Sequence, residues 1–180
     1  HGKNWSPFSW DGVLHFIYLF EPLRVMRCDN LRASPCRCTW VKVRPRGSSA
    51  DALDARVNQS KPVGIFRGGS AGVPLPDGKG DGGGCVVGVG HVTFTEYSHA
   101  LFVWRLEMPS LRLRIAVSDP DGSVSPKSGY TVADPASLWE ADGGVWHAAV
   151  TLRRHPDFLT FDQRDHTARV IEVRSALLSR

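Results

Sequence analysis

Short apolar or alternating segments of strand length recur along the chain, separated by turn residues. Asp11-Gly12 and Asp77-Gly78 are typical of tight hairpin turns. No segment carries a sustained helical period, so the pattern predicts an all-β fold. The predicted strands cover residues 5–9, 13–19, 23–28, 38–43, 73–75, 85–93, 99–107 and 111–117.

Composition strengthens the β prediction and excludes two classes of protein. The 180 residues include 18 Gly and 12 Pro, which favours frequent turns over long helices. The longest apolar stretch, residues 13–20, is too short to cross a bilayer, so we expect no membrane span. The net charge is +4 and the arginines are scattered, so we expect no nucleic-acid partner.

The four cysteines, at positions 28, 36, 38 and 85, lack the paired spacing of a structural zinc site. Cys36 and Cys38 would point to opposite sides of a strand, which argues against a zinc clip through that pair. We therefore expect buried or surface thiols and no metal site. The cysteines do not decide between an oxidising and a reducing compartment.

The chain contains an internal repeat of about 60 to 70 residues, the scale of a propeller blade. Two segments, "PFSWDGVLHFIYLFEPLRVMRCD" and "VPLPDGKGDGGGCVVGVGHVTFTEYSHALFVWRLEM", share a proline, a short strand, an Asp-Gly turn and two long strands. A weaker third copy follows, in "GGVWHAAVTLRR" and "DFLTFDQRDHTARVIEVRS". We predict about three four-stranded blades, at roughly residues 1–60, 61–117 and 118–180, forming one partial propeller domain.

Three blades are too few to close a ring, because propellers typically have four to eight. An open ring would leave apolar sheet faces uncovered. We therefore expect that the chain is a fragment of a longer protein, which fits its start at His1.

The segments "KNWSPFSWDGVLHFIYLFEPLRV", "FRGGSAGVPLPDG" and "CVVGVGH" resemble successive blades of five-bladed β-propeller carbohydrate enzymes. The resemblance is closest to the β-mannoside phosphorylases and hydrolases of glycoside hydrolase family 130. It implies a partial five-bladed β-propeller acting on β-linked, mannoside-like sugars, with inorganic phosphate or a nucleotide sugar as a further partner. The sequence departs from the family pattern where Gly90 precedes His91 in place of a tyrosine.

Residues at the inner strand ends of different blades converge on one pocket in such a propeller. By the resemblance, four basic residues would surround a phosphate or the substrate. Gly68 and Gly69 would let the backbone turn sharply beside the ligand. Trp5 would offer an aromatic face for sugar stacking. The four basic residues are Lys3, Arg24, Arg67 and His91.

Glycoside cleavage needs two positioned carboxyl groups, or one acid together with an attacking phosphate or water. Glu21 and Asp165 are the candidates that we retain, with Glu96 and Asp162 considered beside them. The family's principal proton donor lies upstream of the "KNW" element, which places it before His1. We therefore expect this chain to be inactive alone, and we predict no cofactor.

Three alternatives remain open at the level of sequence. The full-length protein could be a glycosyltransferase that uses a nucleotide sugar, in which the same cations would hold a diphosphate. It could also be a non-catalytic propeller that binds glycans or another protein. A two-sheet sandwich with an accidental repeat is the third alternative.

Overall fold

The structure is a computed structural model that describes residues 4–43, 65–77, 83–93, 99–117, 130–154 and 166–179. Within these residues the regular secondary structure is β-strand, with two short 3₁₀ turns, so the all-β prediction is confirmed. No helix in the described part of the chain has the length and apolar character to cross a bilayer. The strands are β1 (Ser6–Trp10), β2 (Val13–Phe20), β3 (Leu23–Cys28), β4 (Cys38–Val41), β5 (Ile65–Arg67), β6 (Val73–Pro76), β7 (Gly84–Thr93), β8 (His99–Met108), β9 (Arg112–Val117), β10 (Tyr130–Glu140), β11 (Trp146–Arg154) and β12 (His166–Val173).

The strands form three antiparallel sheets, each built from one continuous part of the chain. Sheet A is the meander β1-β2-β3-β4. Sheet B has the order β5-β7-β8-β9, with β6 also paired to β7. Sheet C has the order β10-β11-β12. The described strands of each sheet follow one another in sequence, which keeps the first strand at one edge.

Sheet B is the middle layer, because residues from both of its faces are buried. Odd-numbered residues of β7 and β8, such as Val87 and Val103, pack in one core with sheet C residues such as Val150. Even-numbered residues, such as Phe102 and Trp104, pack in a second core with Ile17 and other sheet A residues. The alternation of side chains along a strand therefore places one apolar core on each side of sheet B.

The first strand of sheet B is interrupted. β5 pairs with the end of β7 and β6 pairs with its beginning, with Arg67 opposite His91 and Val73 opposite Val87. Five residues, 68–72, therefore face only three, 88–90, on the partner strand. The two extra residues form a bulge that displaces Gly68 and Gly69 from the line of the sheet.

Two of the sequence expectations need correction. The first strand of sheet C, β10, was missing from the predicted strands, although it is the longest strand of the described structure. Cys28 and Cys38 were expected to be thiols, but they form a disulfide between the paired strands β3 and β4. Cys36 and Cys85 are free, with Cys36 exposed and Cys85 buried.

Candidate functional site

A cavity of about 220 Å³ lies where the first strands of the three sheets meet. Sheet A contributes Asn4, just before β1, and sheet C contributes Asp134 and Pro135 from β10. Sheet B contributes its bulge and one residue of β7. The lining residues are Asn4, Gly68, Gly69, His91, Asp134 and Pro135. We call this space the central cavity.

Ser70 holds the bulge beside the central cavity in place. The Ser70 amide donates to the Val89 carbonyl at 3.1 Å, and the Val89 amide donates to Ser70 Oγ at 3.0 Å. The buried Ser70 side chain thus replaces a backbone partner that the interrupted strand cannot supply. Because its hydroxyl is engaged with Val89 in this way, Ser70 has a structural role here.

Each glycine of the bulge contacts a different neighbouring sheet. A Cβ on Gly68 would lie 2.5 Å from Ser6 Oγ of sheet A. A Cβ on Gly69 would lie 2.5 Å from the Pro135 carbonyl oxygen of sheet C. Real Cβ atoms essentially never approach other atoms this closely, so both positions require glycine. The Gly-Gly pair therefore lets the three first strands approach one another at the cavity.

His91, His99 and Asp134 form a polar cluster beside the central cavity. His91 on β7 and His99 on β8 lie on the same face of sheet B, turned toward sheet C. Their rings stack with centroids 4.4 Å apart. The Nδ1 atoms of His91 and His99 lie 3.6 Å and 3.4 Å from the same Asp134 Oδ1 atom.

His91 is fully buried, and the pKa of its imidazole is lowered to about 4. Burial is the largest cause, and the neighbouring His99 and the Arg67 guanidinium lower the pKa further. The Asp134 carboxylate raises it, but by less than burial lowers it. His91 is therefore a neutral imidazole at pH 7, so it can donate one hydrogen bond but does not supply a positive charge.

The structure brings several of the predicted site residues together. Gly68, Gly69 and His91 line the same cavity, and Arg67 lies opposite His91 in the strand register. Arg67 Nε is buried without a hydrogen-bond partner among the described residues. Lys3 lies outside the described residues, next to the cavity residue Asn4 in sequence.

Other predicted residues lie away from the central cavity. Arg24 is on β3, with its guanidinium 6.0 Å from the ring centre of Trp40. Trp5 is exposed and packs against Phe16 and Tyr18. These aromatic contacts belong to the outer face of sheet A, opposite its core with sheet B.

The two retained carboxyl candidates also do not line the cavity. Glu21 is exposed in the turn between β2 and β3. Asp165 lies outside the described residues, as do Glu96 and Asp162. The carboxylate that does line the cavity, Asp134, was not among the predicted site residues.

Sequence signals for the missed residues Asp134 and His99 can be identified. In the sequence, Pro7 of β1 and Pro74 of β6 each precede an Asp-Gly pair, and Pro135 of β10 before Asp142-Gly143 is the third example. Aligning that Asp-Gly pair with the first two would have marked Asp134 as an inner-strand residue. His99 could have been found from strand alternation, which places it on the same face as His91 once β7 and β8 are paired.

The main feature of the candidate site is thus a polar cavity where the first strands of sheets A, B and C meet. No family model, curated protein or solved structure matches the chain. Any assignment of function therefore rests on the arrangement of residues at the central cavity and on the sequence resemblance described above.

Proposed function

We propose that the protein is a carbohydrate-active protein of the five-bladed β-propeller type, related to glycoside hydrolase family 130. In this proposal the central cavity binds a β-linked, mannoside-like sugar. The observation that carries the proposal is the convergence of the first strands of sheets A, B and C on one polar cavity. In propellers, the first strands of the blades line the central axis where ligands bind.

The order of the sheets supports the propeller part of the proposal. Each sheet is formed from consecutive strands, and sheet B packs face to face with sheet A and with sheet C. Stacking of successive meander sheets through apolar faces is the arrangement of neighbouring blades. In sheet B the interrupted pair β5 and β6 would together form the innermost strand.

The polar groups at the cavity suit a sugar ligand. The half-exposed Asp134 carboxylate can accept hydrogen bonds from hydroxyl groups, and the Asn4 amide can both donate and accept them. The cavity volume of about 220 Å³ lies below the roughly 300–1,000 Å³ of drug-sized sites. We therefore propose that it holds one sugar ring and that the rest of a larger glycan lies outside it.

Asp134 is the carboxylate that would take part in catalysis under this proposal. Among the residues that the structure describes, it is the single carboxylate lining the cavity. Hydrolysis by the usual route requires a second carboxylate, whereas phosphorolysis requires one acid and a bound phosphate. Arg67 lies directly opposite His91 in the pairing of β5 with β7, and its guanidinium would hold that phosphate.

A non-catalytic glycan-binding protein is the second candidate. The single lining carboxylate among the described residues favours it, because binding needs no acid and base pair. The neutral state of His91 also favours it, since a phosphate site would gain more from a cationic residue at that position.

Sugar binding can be tested by calorimetric titration with methyl β-mannoside and β-1,4-mannobiose. We expect binding that Asp134→Asn weakens at least about tenfold, because a hydrogen bond to a charged group contributes roughly 1.5–3 kcal/mol. Asp142→Asn, in the exposed turn after β10, is the matched control and should bind as the wild type does. Absence of binding, or equal binding by both variants, would contradict the proposed function.

Catalysis can be tested separately by incubating the protein with β-1,4-mannobiose, with and without inorganic phosphate. Formation of mannose 1-phosphate only when phosphate is present supports phosphorolysis. Free mannose in both samples supports hydrolysis. Sugar binding without either product supports the non-catalytic glycan-binding protein.

A further inference from the structure

The cluster of His91, His99 and Asp134 brings two imidazole nitrogens and a carboxylate oxygen to one place. The three side chains come from β7, β8 and β10, so two different sheets hold them. Their ligand atoms all lie within 4.8 Å of one another. We propose that this cluster binds a zinc-like divalent transition-metal ion, independently of whether the central cavity binds a sugar.

The buried imidazole nitrogens are the first argument for a metal ion. His91 is 1% exposed, and its Nδ1 has no hydrogen-bond partner among the described residues. The Nδ1 atom of His99 is likewise buried without one. An unsatisfied buried polar atom destabilises the folded state, and here two such atoms face the same carboxylate oxygen. A cation between them would satisfy both nitrogens, and the carboxylate oxygen that they face could bind the same ion.

The distances within the cluster are the second argument. Separations of 3.4 Å and 3.6 Å between nitrogen and oxygen are long for hydrogen bonds, whose usual range is about 2.7–3.2 Å. Zinc is bound at about 2.0–2.1 Å with tetrahedral geometry, which separates neighbouring ligand atoms by about 3.4 Å. The observed nitrogen–oxygen separations are thus close to the distance between two neighbouring ligand atoms of a tetrahedral metal site. The two stacked rings would need to turn toward a common point to complete it.

The contact with Thr93 favours the tautomer of His99 that can bind a metal ion through Nδ1. His99 Nε2 and Thr93 Oγ1 lie 3.3 Å apart, on strands that pair at these two residues. When Nε2–H donates to Thr93, the lone pair of the neutral ring is at Nδ1, which faces Asp134. Metal-bound histidines commonly donate their second ring N–H to an oxygen in this way, which fixes the tautomer.

The ligand types and the surroundings select the class of ion. Two imidazoles with one carboxylate suit zinc and similar transition metals, whereas calcium and magnesium prefer oxygen ligands. The adjoining central cavity, lined by both His91 and Asp134, gives the ion access and space for a water molecule as fourth ligand. Three protein ligands with one open position are typical of catalytic rather than structural zinc sites.

The proposal can be tested by titrating Zn²⁺ into chelator-treated protein without sugar, followed by calorimetry. A Cys36→Ser background removes an exposed thiol that could bind zinc by itself. We expect one bound ion per chain. Substituting a residue that only hydrogen-bonds a metal ligand typically lowers metal affinity by roughly 10–100-fold. His99→Gln and Asp134→Asn each remove a ligand, so each should weaken Zn²⁺ binding by more than this. Mg²⁺ and Ca²⁺ should not compete.

His147→Gln is the matched control, because His147 lies on sheet C but stacks against Trp139. It should bind Zn²⁺ with unchanged affinity. Circular dichroism of the metal-free variants would show whether each is folded. A folded protein that binds no Zn²⁺, or equal affinity in His99→Gln, Asp134→Asn and the control, would overturn the proposal.

Co²⁺ substitution gives a second measurement that needs no variant at the ligands. An absorption spectrum of tetrahedral Co²⁺ with nitrogen and oxygen ligands is the expected result. A thiolate charge-transfer band, or the spectrum of octahedral aqueous Co²⁺, would contradict the site. The metal titrations contain no sugar, and the sugar titration is run on chelator-treated protein. A failure of one proposal is therefore distinguishable from a failure of the other.

Discussion

Two glycines of β7 make room for aromatic rings on the neighbouring strand. Gly88 lies opposite Trp104 and Gly90 lies opposite Phe102 in the register of β7 and β8. Both rings are fully buried in the core between sheets A and B. The Phe102 ring thus explains the glycine at position 90, because a side chain there would collide with that ring.

Gly88→Ala should destabilise the protein through Trp104. The added Cβ would collide with the Trp104 ring, to which its three nearest atoms all belong. We expect the free energy of unfolding to fall by about 1–3 kcal/mol, as for other overpacked cores. In a Trp104→Phe background the cost of Gly88→Ala should be smaller. Urea denaturation of the four proteins gives the coupling energy, and strictly additive costs would contradict this account.

His15 should make the protein less stable at mildly acidic pH. Burial is the main cause of its lowered pKa, and the ring stacks on Phe8. Since the folded state disfavours the protonated ring, the unfolded state binds the proton more readily. The free energy of unfolding therefore falls as pH drops below about 6.5, the unfolded value.

The variant His15→Phe tests this dependence because it retains an aromatic ring without a titrating group. Urea denaturation between pH 7.5 and pH 5 should give a shallower loss of stability for His15→Phe than for the wild type. The difference between the two slopes is the contribution of His15. Equal slopes would show that protonation of His15 has no effect on folding.

Part of the central cavity could be predicted at the level of single residues. Gly68, Gly69 and His91 were found through a sequence resemblance, and the structure places them around one cavity. Asp134 was missed because its proximity to His91 depends on the packing of sheet C against sheet B. A contact between distant parts of the chain leaves no local pattern in the sequence.

At the scale of elements, apolar or alternating segments and Asp-Gly pairs predicted most strands of sheets A and B to within about two residues. The interruption between β5 and β6 was not predicted, because it depends on the pairing of both pieces with β7. The strand β10 was missed because Pro135 and the polar residues near it weaken the alternating pattern. Prolines are tolerated at edge strands, and β10 is an edge strand of sheet C.

The Cys28–Cys38 disulfide should stabilise the edge of sheet A. It connects β3 to the edge strand β4 across a sequence separation of 10 residues. For a loop of this length, closure entropy in the unfolded chain predicts a contribution of about 3 kcal/mol. In a Cys36→Ser background, Cys38→Ser should lower the free energy of unfolding by up to this amount.

A reducing agent provides the control for the disulfide experiment. It should destabilise the Cys36→Ser protein to the level of the double variant and leave the double variant unchanged. Equal stability of the two proteins under oxidising conditions would contradict a stabilising disulfide.

At the scale of the whole molecule, the all-β class followed from strand periodicity, and the three described sheets span residues 6–41, 65–117 and 130–173. The five-bladed propeller stays a prediction. Sheet B occupies the middle layer because both faces of β7 and β8 are apolar. Burial on both faces explains why these strands are nearly continuous apolar segments rather than alternating ones.

Arg105 joins the end of the described chain to sheet B. From β8, its guanidinium donates hydrogen bonds to the carbonyl of Leu177 at 3.1 Å and to that of Ser179 at 2.6 Å. Leu178, between these two carbonyls, is buried in the core shared by sheets B and C. Arg105 thus holds the segment that follows β12 against the middle layer.

Arg105→Met should release this segment while retaining most of the apolar side-chain stem. Hydrogen bonds to charged groups contribute roughly 1.5–3 kcal/mol each, but partial exposure reduces this, so we expect a loss of about 1–2 kcal/mol. Amide hydrogen exchange at Leu177 and Leu178 should accelerate more than exchange in β7. Arg112→Met, at an exposed position of β9, is the matched control and should change neither quantity. Equal effects of the two substitutions would mean that the C-terminal segment is held by the burial of Leu178 and not by Arg105.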